Sequence, residues 1–155
     1  PANFIIGQNS SEPKNIFLIL LLNMNKDALK ILLKDVKTIA IVGASSNPNR
    51  DSFKVMKYLK EYGYDVYPVN PNLQNTQILG ENCYSTLNDI HEEIDMVDIF
   101  RAVEFIPDIA REAINIKAKI FWTQLGLFSK DAASIAKNEG LTVVMGECPK
   151  IVLES

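Results

Sequence analysis

Residues Thr38–Ile39–Ala40–Ile41–Val42 form an almost unbroken apolar, β-branched run that stops at Gly43. A strand with one face in solvent would alternate apolar and polar residues, and this run does not. It suits a strand buried on both faces, as in a parallel sheet covered by helices. That reading constrains everything after it. Parallel neighbours need long crossovers, so helices must alternate with strands.

The rest of the sequence supplies that alternation. Asp27 to Leu33 carries apolar residues at Ala28, Leu29, Ile31, Leu32 and Leu33 and reads as a short amphipathic helix. After a polar turn from Ala44 to Arg50, a helix is expected with Asp51 or Ser52 as its cap. Val55, Met56, Leu59 and Tyr62 form its apolar stripe, and Gly63 closes it. Asp65–Val66–Tyr67–Pro68–Val69 is the second strand, ended by Asn70–Pro71. Asn72 to Cys83 reads as loop with Gly80 as a turn residue. Ser85 or Thr86 caps a helical turn reaching Ile90. Met96 to Phe100 is the third main strand. Glu104 to Lys117 is a helix with Pro107 in its first turn, where proline is tolerated. Lys119 to Trp122 is a strand, Ser129 caps a helix from Lys130 to Asn138, and Leu141 to Met145 is the last strand. The fold class is therefore α/β: a Rossmann-like open parallel sheet of about five strands with helices on both faces, in three layers.

The length of 155 residues suits one such domain. Residues 24–155 are expected to form it. Residues 1–23 read as an N-terminal extension, non-native or poorly ordered, in which Ile16 to Leu22 is an apolar run too short to span a bilayer. It lacks the flanking charges and cleavage site of a signal peptide. Sixteen basic and nineteen acidic residues give a net charge of −3, without the basic excess of a nucleic-acid binder. Two cysteines, Cys83 and Cys148, are too few for a disulfide scaffold and suggest reduced thiols in a cytoplasmic setting. His91 is the single histidine, and no metal-ligand spacing is present.

In open sheets of this kind the ligand sits at the carboxyl ends of the strands, where strand order reverses. The first such end, Gly43–Ala44–Ser45–Ser46–Asn47–Pro48, runs from a buried strand towards a helix. Backbone N–H groups and the helix dipole favour an anion there. Ser45, Ser46 and Ser52 can add hydroxyls, and Arg50 and Lys54 can add charge. The plainer reading is a turn whose serines satisfy backbone groups. Only Gly43 of a G-x-G-x-x-G pattern is present. The second strand ends in Asn70 rather than the acid that holds a ribose in nicotinamide enzymes. Both departures count against NAD(P).

Taken in order, Gly43–Ala44–Ser45, Ser52–x–Lys54–Val55–x–x–Tyr58–Leu59, Gly63–Tyr64–x–Val66–x–Pro68–Val69–Asn70–Pro71, Asp95–x–Val97–Asp98–x–Phe100–Arg101, Trp122–x–Gln124–x–Gly126 and Cys148–Pro149–Lys150 resemble the small bacterial CoA-binding proteins. These are stand-alone relatives of the N-terminal domain of the succinyl-CoA synthetase α subunit. The resemblance covers about residues 30–152. It implies that coenzyme A, or an acyl-CoA, lies across the carboxyl edge. Gly43, Ala44, Ser45, Ser46 and Lys54 would meet phosphates, and Val69, Asn70 and Pro71 the nucleotide. Phe100 and Arg101 would line the ligand, with Gln124 and Gly126 towards the pantetheine side. One departure is that Gly146–Glu147 stand before Cys148 where the family often has Asp-Arg.

Arg101 is read either as a phosphate fork or as an ion-pair partner of Glu104 or Asp98. Phe121 and Trp122 are expected in the core rather than stacked on a ligand. Gln124 is read equally as a ligand contact or a loop hydrogen bond. Glu147 opposes a Cys148 thiolate and Lys150 favours it; an inert buried thiol is the preferred reading. With one histidine, no nucleophile–base–orienter set can be assembled. The expected function is therefore a non-catalytic CoA-binding module with a small-molecule ligand. No nucleic-acid or membrane partner is expected; a homo-oligomer or a protein partner stays open. The alternatives are an NAD(P)-binding reductase and a CoA-responsive adaptor or subunit of a larger complex.

Overall fold

The computed structural model describes residues 25–155; the apolar run at Ile16 to Leu22 lies outside them. Helix α1 (Lys26–Lys34) precedes β1 (Thr38–Val42), α2 (Asp51–Tyr62) and β2 (Asp65–Val69). A hairpin follows, β3 (Gln77–Ile78) and β4 (Glu81–Asn82). Then come β5 (Met96–Ile99), α3 (Ile106–Asn115), β6 (Ile120–Thr123), α4 (Lys130–Asn138), β7 (Thr142–Val144) and α5 (Pro149–Glu154). The main sheet is wholly parallel, in the order β2-β1-β5-β6-β7. From β1 the chain steps one way to β2 and later the other way to β5. The order therefore reverses at β1, and its carboxyl end opens a crevice.

The strands have few polar residues because both faces are covered. Ile39 and Ile41 point into one layer with Leu29, Leu33, Met56, Leu59, Met96 and Trp122. Ala40 and Val42 point into the other with Val97, Ile99, Ile106, Ala110, Ala113, Phe121 and Ala136. Phe121 and Trp122 are both fully buried, so they are core residues as expected. Each fully buried Ile, Leu or Met contributes about 1.5–3 kcal/mol.

Several boundaries differ from the sequence reading. Asp51 and Ser52 are not caps but the first helical residues of α2; Arg50 is the N-cap, and no side chain caps it. The stretch read as loop holds the β3–β4 hairpin, turned by Leu79 and Gly80, both at positive φ. The helix expected from Glu104 begins as a 3-10 turn, Val103–Phe105, before α3. Helix α5 was not anticipated, although Pro149 at its start is a proper first-turn proline. Ser129 does cap α4, accepting from the Ala132 N–H at 3.1 Å. Thr86 and Asp89 form a reciprocal capping box.

Strand β5 has an aspartate near each end, in opposite states. Asp95, just before the strand, accepts the Lys37 and Thr38 N–H groups at 2.8 and 3.3 Å. Lys119 approaches its other oxygen at 3.1 Å. Burial pushes its pKa up, but these donors outweigh burial and hold it below the usual carboxylate value. Asp98 is fully buried, in register between Ile41 and Trp122. Gln124 Nε2 donates to its Oδ1 at 2.7 Å, and Oδ2 has no partner among the described residues. Desolvation pushes its pKa to about 7.

Two outcomes follow from this architecture. Gly43 has φ +88, and a Cβ there would stand 3.0 Å from the Phe100 carbonyl oxygen and 3.2 Å from Arg101 Cδ. Gly43→Ala is expected to cost about 1–3 kcal/mol, read as a lower Tm in thermal melts. For Asp98 the folded pKa lies above the unfolded one, so the proton bound in the fold is released on unfolding. Wild-type stability is therefore lost as pH rises from about 4 to about 7. Asp98→Asn removes that term. Its stability relative to wild type should climb across this window and level off above it, in urea titrations at stepped pH.

Candidate ligand cleft at the carboxyl edge

Four strand ends, those of β1, β2, β5 and β6, are tied together by backbone. The Gly43 and Ala44 N–H groups donate to the Val69 carbonyl at 3.0 and 3.2 Å. Phe100 N–H donates to the Val42 carbonyl at 2.8 Å, and Gln124 N–H to the Ile99 carbonyl at 3.2 Å. Between them lies a cleft of about 680 Å³. It brings together Gly43, Ala44, Ser45, Asn70, Pro71, Phe100 and Arg101, all expected from the sequence. It also takes in Asn49, Arg50, Asp51, Ser52 and Asn72, and Ala102 and Phe105 on the far side.

Gly43 matters because it lets the chain turn against the β5 end. The Arg101 stem lies over it, within 3.2 Å of where a side chain would begin. Arg101 makes no ion pair with Glu104 or Asp98 among the described residues. Its guanidinium instead stacks on the Phe105 ring, 4.2 Å from the centroid, an arrangement worth about 0.5–1 kcal/mol at a half-exposed site. That contact holds the fork at the cleft with donors free for an oxyanion.

Ser45 Oγ accepts from the Asn47 N–H at 3.0 Å, which leaves its hydroxyl proton to donate outward. Asn70 proves to be a brace. Its Nδ2 donates to the Ala44 carbonyl at 2.8 Å, and its Oδ1 accepts from the Asn72 N–H at 2.9 Å. It fixes the loop after β1 against the end of β2 and forms the wall between them. The N-terminus of α2 opens on the same cleft through Arg50, Asp51 and Ser52. With no side-chain cap, its first N–H groups and the positive end of its dipole face the space.

A second lobe of about 400 Å³ adjoins the first at Asp51 and Phe100. Lys54 and Gln124 line it, with Val55, Leu125, Leu127, Cys148, Lys150 and Ile151. The last three come with α5, which the sequence reading did not foresee. Both cysteines are free and buried. Burial pushes the Cys148 thiol up; the backbone N–H groups of Ile151 and Lys150 offset part of this, and the nearby Asp98 carboxylate adds to the rise. Cys148 is a poor thiolate.

Three expected residues do not line either lobe. Ser46 is exposed on the outer side of its turn. Val69 is buried and acts through its carbonyl. Gly126 is exposed beyond Gln124. Another groove, about 590 Å³, lies at the amino edge beside Lys30, Lys34, Lys37 and Tyr62. It gathers no carboxyl strand ends, and Lys30 is tied to the Ser155 carbonyl. No group of three or more His, Cys, Asp or Glu among the described residues is placed to hold a metal. No helix there is long and apolar enough to cross a membrane.

The chain is 38% identical over 129 residues to the uncharacterized protein YneT of Bacillus subtilis, covering 83% of this chain and 94% of that protein. A solved structure of a hypothetical protein from Pyrococcus horikoshii superposes with a TM-score of 0.80 at 37% identity, over 84% of this chain and 91% of that one. A stretch of 80 residues is 35% identical to the α subunit of ADP-forming acetate–CoA ligase I of Pyrococcus furiosus; it spans 49% of this chain and 17% of that subunit. Residues 37–154 match the family described as CoA binding domain, and the chain belongs to that family.

Proposed function

We propose that this domain binds coenzyme A or an acyl-CoA along its carboxyl edge and acts as a binding module rather than as an enzyme. The observation that carries this is the first lobe of the cleft. In a member of the CoA binding domain family, it joins an uncapped helix N-terminus, Arg50 and Arg101 to an aromatic wall of Phe100 and Phe105. Phosphates suit the first group and a base or sugar the second. The second lobe, with fewer polar groups, suits the pantetheine arm. Relatives whose names include acetate–CoA ligase act on CoA, which supports the same ligand class.

The chemistry of the lining groups supports the non-catalytic reading. Gln124 is neutral, Cys148 is held as a thiol, and Asp98 is sealed beneath the surface. The single histidine, His91, is exposed near the amino edge. The buried free thiols fit a cytoplasmic setting. A role as a CoA-responsive adaptor would use the same site with a protein partner or a second copy.

Thermal melts with CoA, acetyl-CoA, NAD, NADP and ATP at about 1 mM test the reading. A ligand at about 100 times its Kd stabilises the fold by roughly 2.7 kcal/mol, an upshift of several degrees. CoA or acetyl-CoA should raise Tm, and Ser45→Glu and Arg101→Glu should abolish the rise. A rise with NAD or NADP but not CoA contradicts the proposal and favours a reductase.

A further inference from the structure

Gln124 is the neutral polar side chain on the wall of the second lobe; the other polar groups there, Asp51, Lys54 and Lys150, are charged apart from the Cys148 thiol. The residue is held at three points. Its N–H donates to the Ile99 carbonyl, and its own carbonyl accepts from Leu127 N–H at 3.0 Å. Its Nε2 donates to Asp98 Oδ1 at 2.7 Å. Resting on the coenzyme A reading above, we infer that Asp98 orients the Gln124 amide so that Gln124 Oε1 is the group offered to the lobe. The lobe thereby selects a ligand N–H donor, such as a secondary amide of the pantetheine arm.

The reasoning is one of hydrogen-bond polarity. A primary amide has a donor end and an acceptor end, and which end faces outward is set by what holds the other. Asp98 is fully buried at the base of the site and cannot turn away. Once ionised it can only accept, so turning the Gln124 amide over would set two oxygens face to face at hydrogen-bond distance. Ile41 and Trp122 flank Asp98 in register, and the Trp122 indole N–H is directed to the Glu147 carbonyl at 2.8 Å. Cys148, in the loop before α5, is the titratable group that feels its charge. Asp98 is thus a positioning residue: it touches no ligand and acts through Gln124. Its unpartnered Oδ2 makes sense on this account, because the carboxylate is retained for orientation and not for stability.

The test is calorimetric titration at pH 8.5, where Asp98 carries its charge. The ligands are CoA and two analogues in which one or the other pantetheine amide N–H is replaced by an ester oxygen. Wild type should bind one ester about three- to tenfold more weakly than CoA. Gln124→Met, close in size but without the acceptor, should bring that ratio near one. Asp98→Asn, which offers Gln124 either a donor or an acceptor, should lower the ratio while circular dichroism reports an intact fold. A wild type indifferent to both esters overturns the inference, as does a ratio unchanged in Gln124→Met or in Asp98→Asn. Failure to bind CoA at all overturns the coenzyme A reading with it; binding without discrimination overturns this inference alone.

Discussion

Strand β1 is paired on both sides, with β2 along Thr38–Val42 and with β5 along Ile39–Val42. It is also buried on both faces, its residues alternating between two helical layers. Most of the rest depends on that doubly enclosed strand. Because β2 and β5 leave it in opposite directions, the chain that emerges at Gly43 has no strand above it to continue against. It turns over the β5 end with positive φ, in a space that Phe100 and Arg101 leave too narrow for a side chain. The cleft is a consequence of sheet order, and the residues around it are the ones that order brings to the edge.

The two ends of β5 divide stability from function. Asp95 at the amino edge is satisfied by two backbone N–H groups and a lysine, and it pins the starts of β1 and β6. Asp98, three residues on, gains one side-chain donor and loses its solvent. A buried carboxyl with an empty lone-pair side weakens a fold unless something else maintains it. The link to Gln124 supplies a reason that belongs to the ligand rather than to folding.

What the sequence made legible was the set of elements whose signal is local. The β1 and β2 boundaries agree because an apolar run ends abruptly at Gly43 and at Asn70–Pro71. The first lobe was legible for the same reason: seven of its residues stand directly after strands. The β3–β4 hairpin was not, since Gln77–Ile78 and Glu81–Asn82 are two residues each with no alternation to read. Asn70 was expected at the ligand from its position in the chain, and it lines the cleft; its added part as a brace shows only in the cross-loop bonds to Ala44 and Asn72. Asp98 was, with Glu104, one of two ion-pair partners weighed for Arg101 against a phosphate contact. Strand alternation puts it on the face with Ile41 and Trp122, while Arg101 lies past the strand end over Gly43. The apolar lobe depended on α5, whose six residues carry too short a pattern to stand out.

The central claim is that the ligand occupies the crevice where strand order reverses, and backbone amide NMR tests it most directly. Titrating ¹⁵N-labelled protein with CoA should shift the amides of Gly43, Ala44, Ser52, Asn72, Arg101 and Gln124 together. Those of Lys30, Lys34, Tyr62 and Asp65, at the amino-edge groove, should stay in place. Shifts centred on that groove, with the carboxyl edge unmoved, would contradict the account.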